Sequence, residues 1–452
     1  MEDRQSVTRV HQPDPAVNRI LERAEIDGIE LIRFLYADHG GVIRGKAASR
    51  SLLAERLETG IGHTVAMMAM NMLDQLQEVE QLGPVGEVRL VPDPATFVPL
   101  PYAPGAAAMM ADLRQADGSP WDACPRTFLK DAVATLDRAG YTLVAAFEPE
   151  FTLGHRRPDA DGGPDRLVPL DDTLCYAATG FDTAHDYTMT LVHALEKQGL
   201  QVEHYHPELG PGQQELSVRH APALRAADNH VIYRETVRGV AVRMGMWASL
   251  APKPLVEQAG NGAHLHLSLW REGRNLFADD DVRGWFVGGL LAHLPALTAL
   301  TCGSVNSFRR LGPRMWSSGY AVHGPDNREA AVRVCSPLGA GGETNLELKP
   351  SDSSANPYLS LGAVIHAGLD GIRRELDPGE PVTVDPDTEP GRYPRLPATL
   401  TEALDALEAD EVLMAALGEL RARAYLAVKR SEAAAFGEHD AAFELYNHMR
   451  AF

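Results

Sequence analysis

Two carboxylates, Glu148 and Glu150, stand two residues apart in the run Phe147-Glu148-Pro149-Glu150-Phe151. In an extended strand such a pair projects from one face, and two neighbouring carboxylates repel unless a cation lies between them. Further on, the turn signal Gly210-Pro211-Gly212 can fold Glu208 back toward Glu215. In the run Gly260 to Ser268, His264, His266 and Ser268 share one face and the leucines the other. Glu347 and Lys349 flank Leu348, and arginines stand at 309, 310, 314, 328 and 333. Singly, each piece reads as the solvated face of a half-buried sheet or as a surface cation. Together, five carboxylates and a histidine would furnish two oxygen-rich sites for Mg²⁺ or Mn²⁺ rather than zinc. Hard cations beside several arginines suggest phosphoryl transfer, in which positioning and charge neutralisation do most of the catalysis. The chain contains no G-x-x-x-x-G-K-[ST] run, so its phosphate site is not a P-loop.

The elements that must position these groups mix strands and long helices without regular alternation, which favours an α+β fold. A helix opens at Asp14-Pro15 after a loose tail over 1–12, and Gly28 ends it. Strands are expected near 29–37 and 42–47, with a helix at 50–59. The proline-rich stretch 84–103 reads as the exit from a small N-terminal unit, so domains are expected at 1–104 and 105–452. In the larger unit, helices are expected at 125–139, 183–198, 221–246, 282–301 and 356–374. Strands are expected at 141–153, 200–204, 214–219, 263–269, 318–323, 330–335 and 344–349. Residues 154–172 read as a surface loop, 378–397 as a second proline-rich linker, and two or three helices close the chain.

The 452 residues are 44% hydrophobic and carry a net charge of −20. That composition suits a globular protein with a proper core. It argues against a nucleic-acid partner or docking on anionic lipid, either of which needs a basic face. Cys124, Cys175, Cys302 and Cys335 form no C-x-x-C pair, so neither a disulfide scaffold nor a thiolate zinc site is indicated. The start shows no secretory signal, and the apolar stretch 285–300 is too short to span a bilayer. The expected location is the cytoplasm.

The order of the motifs resembles the glutamine synthetase superfamily, type I-like, over nearly the whole chain. The matching runs are Asp38 to Lys46, Phe147 to Phe151, Pro207 to Glu215, Lys253-Pro254 with Gly260 to Ser268, and Asn306 to Leu311. Asp326-Asn327-Arg328 with Arg333, and Glu347 with Ala355 to Leu359, complete them. The resemblance implies an N-terminal β-grasp domain, a large catalytic domain and ring-shaped homo-oligomers, dodecamers or hexamers, with sites at subunit interfaces. It implies ATP as co-substrate and glutamate as the acid, activated as its γ-glutamyl phosphate. By position, Glu150, Glu208 and Glu215 would hold one metal, and Glu148, His264 and Glu347 the other. Arg310 would bind the amino-acid carboxylate, Arg328 would face the transferring phosphate, and Arg333 the nucleotide phosphates. Gly260 opens the matching run, and His266 and Ser268 lie where the family contacts ATP.

Departures from the family pattern bear on the second substrate. Glutamine synthetases place a glutamate that handles ammonium ten residues after the asparagine of the Asn-Ser run, and the same count from Asn306 reaches Trp316. An indole accepts no proton, but it offers an apolar or cation–π wall to an organic amine. Lys349 replaces the family's arginine and loses its planar fork. Thr344, Asn345 and the Gly-rich stretch Leu338 to Gly342 point to altered nucleotide contacts. The Asp-Gly-Ser-Ser motif is absent. A methionine-rich stretch, Met67 to Leu73, stands there instead, with Asp74 as the nearest acid. The expected activity is ligation of glutamate to a small organic amine, as in γ-glutamyl–amine ligases. Ordinary glutamine synthetase and a non-catalytic homologue are the alternatives.

Overall fold

The computed structural model describes residues 15–159, 163, 165–337 and 344–452. The tail over 1–12, the Asp14 cap and the Leu338 to Gly342 stretch lie outside them. The first sheet holds β1 (Leu31–Ala37), β2 (Ile43–Ser49), β3 (Ile61–Thr64), β4 (Glu87–Pro92), β5 (Val98–Pro99) and β6 (Ala106–Arg114). Its order is β2-β1-β6-β4-β3, with β5 beside β6. Helices α1 (Pro15–Ile26) and α2 (Leu53–Thr59) belong to this unit. The parallel pair of β1 and β6 shows why the unit does not stand alone. Ile32, Phe34 and Tyr36 enter a core local to the first sheet, whereas Leu35 and Ala37 join the main core. In β6, Ala107, Met109 and Ala111 do the former, and Ala106, Ala108 and Met110 the latter. Period-two alternation thus gives each strand two buried faces.

The stretch 84–103 is not only a linker, because it supplies β4 and β5. β6, past residue 104, lies between β1 and β4 at the centre of this sheet. The turn Asp38 to Gly41 reaches back into the larger unit. Lys429 donates to the Gly40 carbonyl at 3.0 Å, and Arg234 to the Gly41 carbonyl at 3.0 Å. Gly41 has φ +85°, and a Cβ there would lie 2.0 Å from the Ser354 carbonyl oxygen, so only glycine fits.

The second sheet is built on β7 (Thr142–Arg157), β8 (Arg166–Pro169), β9 (Val202–Pro207), β10 (Gln213–Val218), β11 (Ala221–Pro222) and β12 (Trp247–Ser249). It continues with β13 (Ala263–Arg271), β14 (Arg274–Asn275), β15 (Tyr320–Pro325), β16 (Ala330–Cys335) and β17 (Asn345–Leu348). Its main path runs β15-β16-β17-β13-β7-β10-β9. β7 is longer than expected: it runs to Arg157 and pairs with β8, turning part of the anticipated 154–172 loop into a hairpin. Behind the sheet lie α3 (Pro125–Arg138), α4 (Ala178–Lys197), α5 (Ala223–Arg243), α6 (Asp280–Thr301) and α7 (Pro357–Arg374). Four helices close the chain rather than two or three: α8 (Leu400–Ala409), α9 (Glu411–Leu417), α10 (Glu419–Gly437) and α11 (Ala441–Ala451). Helix α6 is apolar and long enough for a membrane span, but 72% of its apolar window is buried in the protein. It is the core helix that its sequence suggests.

A titratable group, His293, is buried along α6. His293 bonds Asp410, the N-cap of α9, through Nδ1 at 2.6 Å, and Asp370 of α7 through Nε2 at 3.1 Å. Arg374 also donates to Asp370. The hydrogen bond to Asp410 leads in raising the His293 pKa above its ordinary 6.5, against the opposing effect of burial. A histidine with a raised folded pKa stabilises fully below its unfolded pKa and loses that contribution as pH rises through the folded value. The wild type is therefore expected to exceed His293→Gln by about 1–2 kcal/mol at pH 6. The gap should narrow steadily toward pH 9, as read by urea melts of both proteins.

Candidate active site

β7 lies between β10 and β13, so its two glutamates face different neighbours. Glu150 pairs in register with Glu215 of β10, and Glu148 with His264 of β13. On the outer side, Glu215 pairs with His206 of β9. His266 pairs with Glu347 of β17, which pairs with Arg333 of β16. Cross-strand register therefore gathers the expected residues into one acidic–histidine row.

The side chains complete two clusters. His264 Nδ1 lies 3.1 Å from Glu347 and 3.5 Å from Glu148, and His266 Nε2 lies 3.3 Å from Glu148. At the other end, His206 Nε2 lies 2.9 Å from Glu208 and 3.8 Å from Glu215, and His204 Nε2 lies 3.4 Å from Glu215. Among the described residues, two groups have ligand atoms close enough to share an ion, Glu148–His266–Glu347 and His204–His206–Glu215. Glu150 is buried and accepts from Gln213 Nε2 at 2.6 Å. The backbone around it is tight. A Cβ on Gly262 would come within 2.7 Å of His264 Nε2 and 3.1 Å of Glu150 Oε1.

The donor set fits divalent cations. Burial, then the charges of Glu148, Glu150 and Glu208, push the Glu215 carboxyl up to about 10. Burial likewise raises Glu150. Burial opposes ionisation of Glu148 and Glu347 too. Hydrogen bonds from His264 and His266 nevertheless hold Glu148 well below the usual carboxylate range, and His264 with Lys349 does the same for Glu347. The cluster thus holds more buried negative charge than its histidines offset, which a hard cation would neutralise. Glu347 Oε2 makes no hydrogen bond, although Arg333 Nη1 approaches to 2.8 Å.

The cations ring this row. Arg310 is buried, donates to the Ser351 carbonyl at 2.9 Å and keeps a free buried Nε, as does Arg333. Such unpaired N–H groups suit anionic substrate oxygens. Lys349, expected on the acid or the nucleotide, is engaged with Glu347 at 3.0 Å. Arg309 is tied to Glu444 of α11 by two 2.7 Å bonds. Arg328 is exposed, its guanidinium 6.0 Å from the Trp316 ring centre. Gly260 accepts from Gln213 at 3.0 Å through its carbonyl, and Ser268 accepts from Trp270 Nε1 at 2.8 Å. Ser268, His266, Glu148 and Trp270 line a cavity of about 260 Å³ that also reaches Thr344 and Asn345. Asp74 stands apart: it is paired with Arg44 of the first sheet at 2.9 Å and has φ +59°.

Sequence reading missed His204, Tyr176 and Trp270. A signal existed for His204, since His204-x-His206 leads at period two into Glu208. None existed for Tyr176, whose hydroxyl donates to Glu208 at 3.4 Å from a turn at φ +59°.

Fold and site together define a class, a two-sheet α+β protein whose buried acidic–histidine row could hold divalent cations. Residues 15–121 match the glutamine synthetase N-terminal domain and residues 122–448 the glutamine synthetase catalytic domain. The chain belongs to the glutamine synthetase family and is an ATP-dependent C–N ligase. It is 39% identical over 425 residues to the gamma-glutamylpolyamine synthetase GlnA3 of Streptomyces coelicolor, covering 90% of each chain. It is 32% identical to the glutamine synthetase of Methanosarcina mazei, covering 91% of this chain and 93% of that one. Among solved structures, a GmaS/ADP complex superposes with TM-score 0.83 at 30% identity, covering 96% of this chain and 98% of that one.

Proposed function

We propose that this enzyme joins the γ-carboxyl of L-glutamate to an organic primary amine through a γ-glutamyl phosphate. Trp316 carries the reading. Its indole is 58% exposed on the loop before β15, beside Arg328. Tyr176, bonded to Glu208, and the neighbouring Leu209 are also exposed and would give the amine apolar walls. The 39% identity to a gamma-glutamylpolyamine synthetase points the same way. Relatives named glutamine synthetase, at 31–33% identity, keep ammonia as the second reading.

A carboxylate resists amine attack because it is charged and oxide is a poor leaving group. Transfer of the ATP γ-phosphoryl group to the γ-carboxylate removes both obstacles. Arg310 would grip the amino-acid carboxylate, and Arg328 and Arg333 would balance the charge moving on the phosphates. Glu150, Glu208 and Glu215, with Glu148, His264 and Glu347, would hold two Mg²⁺ or Mn²⁺ ions. When bound, those ions neutralise phosphate charge and orient the acid oxygen. The amine nitrogen then bonds to the acyl carbon, phosphate leaves and the ammonium proton is lost. Tyr176 and Trp316 would seat the amine, with Asp74 from a neighbouring subunit of a ring oligomer, dodecamer or hexamer, as its acidic partner. A cytoplasmic location and the absence of nucleic-acid or membrane partners belong to the same proposal.

ADP release with ATP, Mg²⁺, glutamate and an amine panel tests the reading. Several organic amines should exceed ammonia in kcat/KM, and equal or better use of ammonia overturns it. Trp316→Ala should raise KM for the preferred amine about tenfold, the loss of one cation–π contact.

A further inference from the structure

The loop that presents Trp316 holds a backbone most side chains avoid. Arg314 has φ +58°, Trp316 +59° and Ser318 +69°, in the left-handed region that is unfavourable for all but glycine and a few polar residues. One carboxylate supports this geometry. Glu329 accepts the Arg314 N–H through Oε2 at 3.0 Å and the Trp316 N–H through Oε1 at 3.0 Å. Both oxygens are thus used, one on each side of Met315. Two charge-assisted bonds to alternate amides fix the loop as a nest around the anion.

The carboxylate is itself anchored. Glu329 N donates to Asn327 Oδ1 at 3.0 Å, and Asn327 Nδ2 donates to the Val382 and Val384 carbonyls at 2.9 and 3.0 Å. Glu329 follows Arg328 and leads into β16, the strand of Arg333. A single residue thus joins the strand expected to handle phosphate to the loop expected to wall the amine. The loop is also tied by the Ser317 hydroxyl on the Arg310 carbonyl at 2.7 Å, by the Leu396 N–H on the Gly319 carbonyl at 3.1 Å, and by the exposed Arg314 against Asp387 at 3.2 Å and Asp385 at 3.8 Å.

We infer that Glu329 is a positioning residue that holds the Trp316 loop over the amine side of the site. The inference rests on the amine-ligase reading for what the loop selects, but not for the latch itself. Without the carboxylate, the two amides turn to water and the left-handed residues relax, so Trp316 leaves its place beside Arg328.

The test compares Glu329→Ala and Glu329→Gln in the full chain. Glu329→Ala should raise KM for the preferred amine about tenfold, with kcat at saturating amine within about threefold and KM for ATP and glutamate unchanged. Glu329→Gln keeps one acceptor oxygen and should fall between. Trypsin should nick Glu329→Ala after Arg314 several times faster than the parent, with no change at other sites. An equal rise in all three KM values, no rise in any, or an unchanged nicking rate overturns the latch. The parent's amine panel judges the ligase reading separately. If ammonia proves the better substrate, the same KM split is read with ammonia.

Discussion

Glu215→Gln is expected to lower turnover by roughly three orders of magnitude and yet raise the melting temperature of the metal-free protein. The two signs share one cause. Glu215 is 6% exposed, paired in register with Glu150 and near Glu148 and Glu208. Burial and those charges move its carboxyl from 4.5 up to about 10. A carboxyl raised in this way favours the fold while protonated, below pH 4.5. That contribution is lost as pH rises toward 10, so at pH 7–8 the metal-free fold carries a penalty. Glutamine keeps the shape and removes the charge, so it relieves the penalty and also withdraws an anionic ligand from the cation. Scanning calorimetry at pH 6 and 8, with and without Mn²⁺, alongside ATP turnover, checks both halves. The wild type should gain far more than the variant from Mn²⁺. A variant that melts lower without metal, or that keeps its activity, would refute this account of the site.

Arg126→Met should destabilise the protein by about 3–5 kcal/mol, the usual consequence of removing one member of a buried charge network. Arg126 opens α3 and is 2% exposed. It grips Asp228 of α5 with bonds of 2.9 and 2.8 Å, Asp112 of β6 at 2.9 Å and Asp93 at 2.8 Å. Lys130 and Tyr358 support Asp112 and Asp228 at 2.6 and 2.8 Å. Methionine fills the same space but leaves three carboxylates facing one another, with Lys130 and the partly exposed Arg114, both on Asp112, as their remaining cations. Because Asp112 lies in β6 of the first sheet, Asp93 directly follows β4, and Asp228 lies in α5 behind the second sheet, the loss falls on the junction between the units. Denaturant melts should show the lower midpoint. Substituting the exposed Arg138 on the same helix should change little, since exposed charges contribute little.

Helix positions were legible because their signals are local. Pro357 opens α7 after Asn356, whose side chain caps the helix as its residue type suggests. Errors came where pairing, not pattern, decides. The proline-rich 84–103 stretch hid β4, which alternates buried and exposed residues but pairs only with β3 and β6, distant in sequence. The polar 154–172 stretch hid the β7–β8 hairpin for the same reason.

Residue identity and spacing by themselves determined the chemistry on offer. Glu148 and Glu150 share a face because strands alternate at period two, and hard carboxylate oxygens beside arginines suit metal-assisted phosphoryl transfer wherever they meet. Trp316 stood out only against the family resemblance, as an indole at the position where glutamine synthetases carry their ammonium-handling glutamate. Only the tertiary structure decided which groups meet. Strand order sets β10 and β13 on opposite sides of β7, so register, not spacing, brings Glu215 to Glu150 and His264 to Glu148. The same is true of the two backbone N–H hydrogen bonds that tie the Trp316 loop to the Glu329 carboxylate. Those contacts join residues whose approach depends on how the whole chain packs, and no local propensity encodes that.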